Sequence, residues 1–493
     1  SSAASDVYKR QIINAATKNP AASGSVSYHT MNSYFGRVFY SYADKYMITA
    51  NIRWDGSSNF ADKHRWGVFP SVSGGWNFRE ESFIKDVVGD WFSQGKFRAA
   101  WGEIGNQNIS SGAYLTRYGN STYYLLGNSM TPWLSGGRTN VGNPDLRWET
   151  TRQLDFGLDL AFFNSALKFN IDYFDRKTSD MLVQVPMPAA IGLPNTPWSN
   201  AGSVKNRGFE FVLDYHGKIG NDFSYNIAGN ISTYKNKVLS LGGGTNIPGK
   251  THLGNQVNTM IEPGKPIGYF YGYKMDGVFQ TQEEINNYRG GPDNTIIMPT
   301  AEPGDLKFVD LNGDGKLGEE DRTMIGNPHP DFTFGLTLSG EYKGFDLSMF
   351  FQGSVGNDIL NILKYDIYSG TGWYNAPKDI FDKFWTGPGS TNENFAISAN
   401  SRDNLTMSEW YIENGSYVRL KNVTLGYTFP KQWVQKLTVQ NLRLFVAAQN
   451  LFTITSYSGL DPELGNSNPA FMGIDMGWYP QARSFMVGLS LKL

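Results

Sequence analysis

The final residues of the chain alternate between apolar and polar side chains, with Met486 as the single apolar residue among the polar positions. A period of two is typical of a β-strand that has one apolar face, so the pattern predicts a strand over 483–493. The apolar positions are Phe485, Val487, Leu489, Leu491 and Leu493, and the residues between them are Ser484, Met486, Gly488, Ser490 and Lys492.

Similar segments recur along the chain and give about 14 predicted strands in total. The others are 34–44, 46–56, 68–78, 95–104, 148–162, 166–176, 206–216, 222–234, 266–276, 331–342, 345–354, 416–429 and 441–450. A strand of a membrane barrel needs about 9–11 such residues, apolar toward lipid and polar toward the lumen.

Several predicted strands carry charges between their apolar residues. A soluble β-sandwich would not bury these charges unpaired in its core, although its outer faces could carry them. We therefore predict an all-β transmembrane antiparallel barrel, and a soluble sandwich or propeller is the alternative. The charged residues are Asp155, Asp159, Lys168, Asp172, Glu210 and Asp214.

The predicted connections differ strongly in length. Tight hairpins are expected at 44–45, 164–165 and 343–344, whereas 105–145, 177–205, 235–265, 277–330, 355–415 and 451–482 are long. Outer-membrane barrels show this asymmetry, with short turns on the periplasmic side and long loops outside.

Composition agrees with a membrane barrel and excludes other classes. Aromatic residues make up 15% of the 493 residues, which suits aromatic girdles at the two membrane interfaces. There is no run of about 18 apolar residues that would form a membrane helix. A net charge of −2 without a basic block argues against nucleic acid, and the absence of cysteine excludes disulfides.

The chain is expected to divide at residue 34. Residues 1–11 contain no apolar signal-peptide core, and residues 6–11 resemble a translated sequencing adaptor. Residues 1–33 are therefore predicted to be non-native or poorly ordered, and an ordinary polar amino-terminal segment is the alternative. Residues 34–493 are predicted to be the barrel portion.

One segment fits the ligand spacing of a calcium-binding loop. Oxygen ligands are expected from Asp310, Asn312, Asp314, the carbonyl of Lys316 and the carboxylate of Asp321, with glycine at the sixth position. No strong helix precedes the loop, and Asp321 is shorter than the usual glutamate. A metal-free cluster of Asx turns is therefore an equal alternative to Ca²⁺.

Aromatic residues in the long loops are the candidates for binding a ligand or a partner. Flat rings stack on sugars, and loops carry binding sites, but for each single residue the pattern favours packing within the loops or a place in an interface girdle. The candidates are Trp133, Trp198, Trp373, Tyr374, Trp410 and Trp478. No catalytic residues are predicted, since neither G-x-S-x-G nor H-E-x-x-H occurs.

A set of short motifs resembles the SusC-like TonB-dependent transporters of Gram-negative outer membranes. Each motif is weak alone, but together they are specific and cover the chain from about residue 34. They lie at 53–58, 65–73, 98–102, 105–107, 142–146, 148–149, 206–210, 310–321, 414–419 and 450–452.

The resemblance implies the carboxyl-terminal part of a plugged, 22-stranded barrel that imports oligosaccharides or peptides. It also implies a SusD-like lipoprotein lid, a TonB contact through a part absent from this chain, and surrounding outer-membrane lipid. Loops 355–415 and 451–482 are then expected to face outward and to contact the lid or its ligand. A secreted calcium-stabilised glycan-binding module and a glycan-cleaving enzyme are the alternatives.

Overall fold

The computed structural model describes residues 28–126, 131–184, 197–242, 246–250, 256–368, 375–397, 403–434, 439–466 and 468–492. Thirteen strands form one antiparallel sheet in which each strand pairs with its neighbours in chain order. We call this sheet the wall. Its strands are β1 (Met31–Tyr42), β2 (Tyr46–Ser57), β3 (Trp66–Trp76), β4 (Phe92–Asn106), β5 (Glu149–Phe162), β6 (Leu167–Ser179), β7 (Ser203–Ile219), β8 (Phe223–Ser240), β9 (Phe332–Tyr342), β10 (Phe345–Val355), β11 (Tyr417–Thr428), β12 (Asn441–Thr455) and β13 (Ser484–Lys492).

The connections hold shorter elements. Their strands are Arg117–Leu126, Thr131–Asn140, Leu182–Gln184, Trp198–Asn200, Ile247–Lys250, Val257–Ile261, Tyr269–Tyr273, Met275–Val278, Arg289–Gly290, Thr295–Ile296, Leu306–Phe308, Arg322–Gly326, Asp358–Asn361, Ile412–Asn414 and Ile474–Asp475. Their α-helices are Ser82–Val88, Gln282–Asn287, Leu363–Tyr368, Ile380–Lys383 and Lys431–Val434, with 3-10 turns at Asp62–His64, Phe78–Glu80, Glu319–Asp321, Asp403–Leu405, Glu409–Tyr411 and Pro469–Phe471. Within the described ranges, no helix has the length and apolar character needed to cross a membrane.

Thirteen of the predicted strands lie in the wall, whereas the strand predicted at 266–276 occurs but does not belong to it. The strand there, Tyr269–Tyr273, belongs to a separate four-stranded sheet in the connection between β8 and β9. Tyr269 and Phe270, which point to opposite faces, are both buried. A strand covered on both faces suits the interior of a packed unit, whereas a wall strand has one polar face.

The register of the wall aligns its apolar side chains on one face. One row runs across five strands through Leu158, Ile171, Phe211, Ile231 and Phe334. The adjacent row on the other face contains Asp172, Glu210, Ser232 and Thr333. The wall therefore has an apolar face suited to lipid and a polar face suited to a lumen.

Shorter and longer connections alternate along the wall, except that 77–91 is longer than 58–65. The connections at one end are 43–45, 77–91, 163–166, 220–222, 343–344 and 429–440; those at the other end are 58–65, 107–148, 180–202, 241–331, 356–416 and 456–483. All three expected hairpins occur, and in one of them Lys343 and Gly344 have φ of 47° and 89°. Two positive φ values match the type I′ turn that fits the twist of a two-residue hairpin.

An aromatic belt follows the apolar face at the short-turn end. Some of its rings contact each other between neighbouring strands, such as Phe92 with Phe162 and Phe345 with Tyr427. Tyrosine and tryptophan combine an apolar ring with a polar tip suited to a membrane–water interface. The belt includes Tyr46, Trp76, Phe92, Phe162, Tyr225, Tyr342, Phe345 and Tyr427.

Charges on the polar face are paired across glycines. Arg98 of β4 donates to Asp159 of β5 and, over the intervening Gly157, to Asp172 of β6, with nitrogen–oxygen distances of 2.8 Å. Arg443 of β12 reaches Asp346 of β10 over Gly426 in the same way, with 2.9 Å from its Nε atom. These five lumen-facing charges therefore have a partner of opposite sign within the wall.

A positive charge introduced on the apolar face should destabilise the barrel far more than one on the polar face. In the full-length protein, Leu213→Arg should cost about 2–4 kcal/mol if the residue lies near the bilayer midplane. Glu210→Arg should cost much less, because its side chain meets Asp172 across the strands. Urea unfolding in lipid vesicles would measure both variants, and equal losses would contradict the assignment of the faces.

Gly157 leaves space for the ion pair between Arg98 and Asp172. A Cβ atom there would collide with the carboxylate of Asp172 and lie 2.5 Å from the Arg98 Cζ atom. Both are ends of flexible side chains, so Gly157→Ala should shift them and weaken the ion pair at a cost of about 1 kcal/mol. Gly229→Ala is the control, since its nearest atoms would be 3.7 Å away. Equal unfolding free energies for both variants would show that the ion pair does not need the glycine.

Candidate functional site

The long connections at one end of the wall pack into a unit with its own core, here called the loop unit. Strand Asp358–Asn361 pairs with Ile412–Asn414 and, in parallel, with Ile474–Asp475, so the connections 356–416 and 456–483 share a sheet. The buried core also draws on the connection 241–331 and includes Phe270, Phe279, Phe308, Leu360, Phe395, Met407, Trp410, Tyr411 and Ile474. These loops are therefore held in one arrangement by apolar burial.

A buried arginine ties the loop unit to the wall. Arg419 of β11 is 3% exposed. It bonds Glu463 at 2.6 Å, the Thr453 hydroxyl at 2.7 Å, and Asp461. Burial tends to raise the pKa of Asp461, but the N–H of Gln481 and the Arg419 guanidinium outweigh it and lower that pKa. Arg419 lies in the 414–419 motif, which therefore serves an anchoring role.

A β-bulge next to Arg419 places a second positively charged side chain, Lys421, at the junction between the wall and the loop unit. Asn450 has φ of 50°, and the β11–β12 register shifts around Lys421. Such a bulge redirects a side chain at the rim of a barrel. The Lys421 ammonium donates to both oxygens of Glu463 at 2.8 Å. The 450–452 motif thus shapes the junction between the wall and the loop unit.

A second cluster at the same end gathers several of the sequence motifs. The Trp148 ring lies 5.3 Å from Phe60 and 5.4 Å from Phe69, and its indole donates to the Arg65 carbonyl at 3.0 Å. The Phe69 ring leaves no space for a Cβ on Gly105. The other members are Ile109, Ala113, Leu146 and Leu182, with Trp198 half-buried against them.

A buried histidine joins β8 to the loop unit. His329 contacts the Tyr234 hydroxyl through Nδ1 at 3.2 Å and the Ile267 carbonyl through Nε2 at 3.0 Å. Burial lowers the pKa of His329, although the bond to the Ile267 carbonyl opposes this shift. The neutral ring, with its proton on Nε2, satisfies both contacts.

The His329 contact should weaken in acid. Because its pKa is lower in the folded protein than the ordinary value of about 6.5, the contact is at full strength above that pH and weakens as pH falls through the lowered pKa. Hydrogen exchange of peptides covering 256–273 should therefore show less protection at pH 5.5 than at pH 7.5, after correction for intrinsic exchange rates.

His329→Gln should remove this pH dependence, since an amide keeps polar atoms but does not titrate. His216→Gln is the control, because His216 is exposed on the wall. A pH dependence that persists in His329→Gln would assign it to another group.

Trp410 is packed in the core of the loop unit, which agrees with the packing alternative for this loop tryptophan and not with a binding role. It is 6% exposed, its ring lies 4.9 Å from those of Phe395 and Tyr411, and its indole donates to Asn394 at 3.0 Å. The sequence could not distinguish this packing role from a binding role, because both use a loop tryptophan.

Trp478 remains a candidate for contact with a ligand or partner. It is 49% exposed, and the next residue, Tyr479, is 90% exposed. The Asp475 carboxylate accepts the N–H groups of Gly477 at 2.8 Å and Trp478 at 3.2 Å, and the indole donates to the Ile474 carbonyl at 3.2 Å. The two rings are thus presented on a fixed turn. Sequence reasoning missed Tyr479.

For the remaining aromatic candidates the described part of the structure does not show an exposed side chain that could contact a ligand. The side chain of Trp133 and the whole of Trp373 and Tyr374 lie outside the described residues. Trp198 is half-buried in the cluster around Trp148. Their proposed roles in binding stay predictions.

The Asp310 loop is built as a cluster of Asx turns. Asp310 accepts the N–H groups of Gly313 at 2.7 Å and Gly315 at 2.8 Å. Asn312 and Asp314 accept those of Asp314 and Lys316, and the buried Asp321 accepts those of Leu311, Asn312 and Gly318. In the described part of the chain, no group of three carboxylate or imidazole side chains has metal-ligand geometry. The Asp321 Oδ1 atom accepts two of these bonds, whereas each Asp310 oxygen accepts one and keeps a second lone pair. Ca²⁺ binding stays a prediction.

These features together define an outer-membrane β-barrel: a sheet with one lipid-suited face, short turns beside an aromatic belt, and long packed loops at the other end. A family model described as "TonB dependent receptor-like, beta-barrel" matches residues 3–451. The chain belongs to this family of TonB-dependent receptors, and its wall accordingly lies in the outer membrane of a Gram-negative bacterium.

Individual relatives agree with the family assignment. The chain is 37% identical to TonB-dependent receptor P3 of Formosa agariphila over 93% of this chain and 45% of the relative. It is 32% identical to TonB-dependent receptor SusC of Bacteroides thetaiotaomicron over 94% of this chain and 44% of that protein. The chain thus spans less than half the length of these curated relatives.

A solved structure shows the same fold. The chain matches the structure of the RagAB peptide transporter with a TM-score of 0.77 and 23% identity, over 96% of this chain and 49% of that one. Family membership argues against the secreted binding module and the glycan-cleaving enzyme, because TonB-dependent receptors are membrane transport proteins.

Proposed function

We propose that this chain is the carboxyl-terminal part of the barrel of a transporter that imports oligosaccharides or peptides across the outer membrane. Import depends on TonB, which acts through a plug outside this chain, and a SusD-like lipoprotein covers the extracellular mouth. The main support is the loop unit, because a rigid, aromatic-bearing platform at the long-loop end is where a lid and its cargo would bind. The names of the relatives support the same class.

The exposed rings of Trp478 and Tyr479 are the proposed contact with the lid or its cargo. Their turn is fixed by Asp475, so little conformational freedom is lost on binding. Most of the Tyr479 ring is free to stack on a sugar or on an apolar peptide side chain.

The decisive experiment combines cargo identification with substitution. Deletion of the full-length gene should abolish growth on one of two panels of sole carbon sources, defined oligosaccharides or peptide mixtures. Trp478→Ala with Tyr479→Ala should then reduce growth on that panel and capture of the lipoprotein, while barrel assembly is retained.

Trp433→Ala is the matched control, because Trp433 is similarly exposed but lies in the 429–440 connection at the opposite end. Growth of the deletion strain on every carbon source would contradict the import proposal. Normal growth and normal capture of the lipoprotein in the double variant would instead mean that Trp478 and Tyr479 contribute only to packing or solubility.

We further propose that Ca²⁺ binds the Asp310 loop and stabilises the loop unit. Asp310→Asn should reduce the heat of calcium binding measured by calorimetry on the full-length transporter and remove calcium-dependent protection of 310–321 from proteolysis. The control is Asp293→Asn, which alters an exposed acid outside the loop. The same calcium response in all three proteins would contradict the site.

A further inference from the structure

The connection between β3 and β4 lies against the lipid-facing side of the wall. The Phe78 ring covers Gly95, where a Cβ atom would collide with it. Gly95 pairs with Leu160, which alternates with the lumen-facing Asp159 and so lies on the apolar face. Phe78 also contacts the Trp76 ring at 5.7 Å. The connection therefore folds onto the outer surface of the barrel and not into its lumen.

Two polar side chains fix the connection in this position. The Glu81 carboxylate accepts the Tyr46 hydroxyl, the Trp76 indole N–H at 3.1 Å and the Lys45 ammonium at 3.2 Å. Tyr46 and Trp76 pair directly and belong to the aromatic belt. Arg79 donates to the backbone carbonyls of Phe92 and, at 3.1 Å, Gly89. Because Glu81 and Arg79 are both buried, the connection is attached firmly to the wall.

The helix Ser82–Val88 in this connection has an apolar side that is only partly covered. At about 100° per residue, its four apolar residues fall in one arc of about 140°. Within that arc Ile84 and Val88 are half-buried, whereas Phe83 and Val87 are 66% and 81% exposed. The opposite arc carries Ser82, Lys85 and Asp86, all of them exposed.

The exposed apolar side is continuous with the lipid-facing wall. Trp91, which follows the helix, is 54% exposed and stacks on Phe162 of the aromatic belt at 5.8 Å and 13°. An amphipathic helix beside a lipid-facing surface, with its charges on the opposite arc, suits the plane of the membrane interface. Tryptophan is the residue type enriched at that level.

We propose that the helix Ser82–Val88, together with Trp91, is an interfacial anchor that binds the phospholipid surface of the periplasmic leaflet. Phe83 and Val87 insert at the boundary between headgroups and acyl chains, while Lys85 and Asp86 stay in water. The anchor fixes the height of the barrel at the side where β3 and β4 meet. It concerns lipid and not cargo, so it is independent of the import proposal.

Site-specific fluorescence can test the anchor, since the chain has no cysteine. The full-length transporter, with any cysteine elsewhere replaced, would carry Val87→Cys or the matched control Asp86→Cys. Each is labelled with an environment-sensitive fluorophore and reconstituted in phosphatidylethanolamine–phosphatidylglycerol vesicles with iodide on both sides. A parallel set contains a lipid with a nitroxide near the top of its acyl chain.

The label at position 87 should be quenched several-fold more by the nitroxide lipid than the label at position 86, and several-fold less by iodide. Equal iodide quenching at both positions would place the helix in water and overturn the proposal. Quenching of position 87 by neither agent would mean that protein covers the apolar side, which would also overturn it. Heat-modifiable electrophoretic mobility would confirm that both labelled proteins are assembled.

Discussion

The wall depends on the pairing of every backbone N–H and C=O group in an environment without water. In lipid an unpaired backbone group costs several kcal/mol, so a spanning strand must bond to neighbours along its length. The inner strands of the wall meet this requirement by pairing on both sides in chain order, whereas β1 and β13 each pair on one side in this chain. Because side chains alternate, the same register separates apolar from polar residues, and a slip of one residue would expose Asp172 and Glu210 to lipid.

The polar face shows how charge is accommodated next to a membrane. Its arginines reach carboxylates on neighbouring strands, and in two places the pair spans an intervening strand whose residue is glycine. Charged residues inside membrane proteins generally face the interior and pair there. Gly157 and Gly426 are therefore part of the electrostatic arrangement, although neither carries a charge.

The long connections, at the end of the wall opposite the aromatic belt, are stabilised differently from the wall. They lie in water and form a small folded domain with an apolar core, which is tied to the wall at Arg419 and His329. Attachment through buried polar contacts leaves the outer surface of the loop unit available for recognition. The short-turn end carries instead an aromatic belt and one amphipathic helix, so the two ends are built for different surroundings.

The sequence alone determined the class of fold. In a sheet that separates lipid from water, successive side chains of each strand face the two environments in turn, so apolar and polar residues alternate with a period of two. It located thirteen wall strands, the hairpins and the asymmetry of the connections. The motifs at 414–419 and 450–452 were visible, but their roles at Arg419 and Asn450 depend on partners more than 30 residues away in the chain.

Only the tertiary structure decided which aromatic residues are buried. Trp410 and Trp478 are both loop tryptophans in sequence, yet one packs in a core and the other is half-exposed on a fixed turn. Likewise, the segment around Tyr269 has strand composition but joins the loop unit instead of the wall. Local pattern sets the conformation of a segment, whereas its burial depends on distant residues brought against it by the fold.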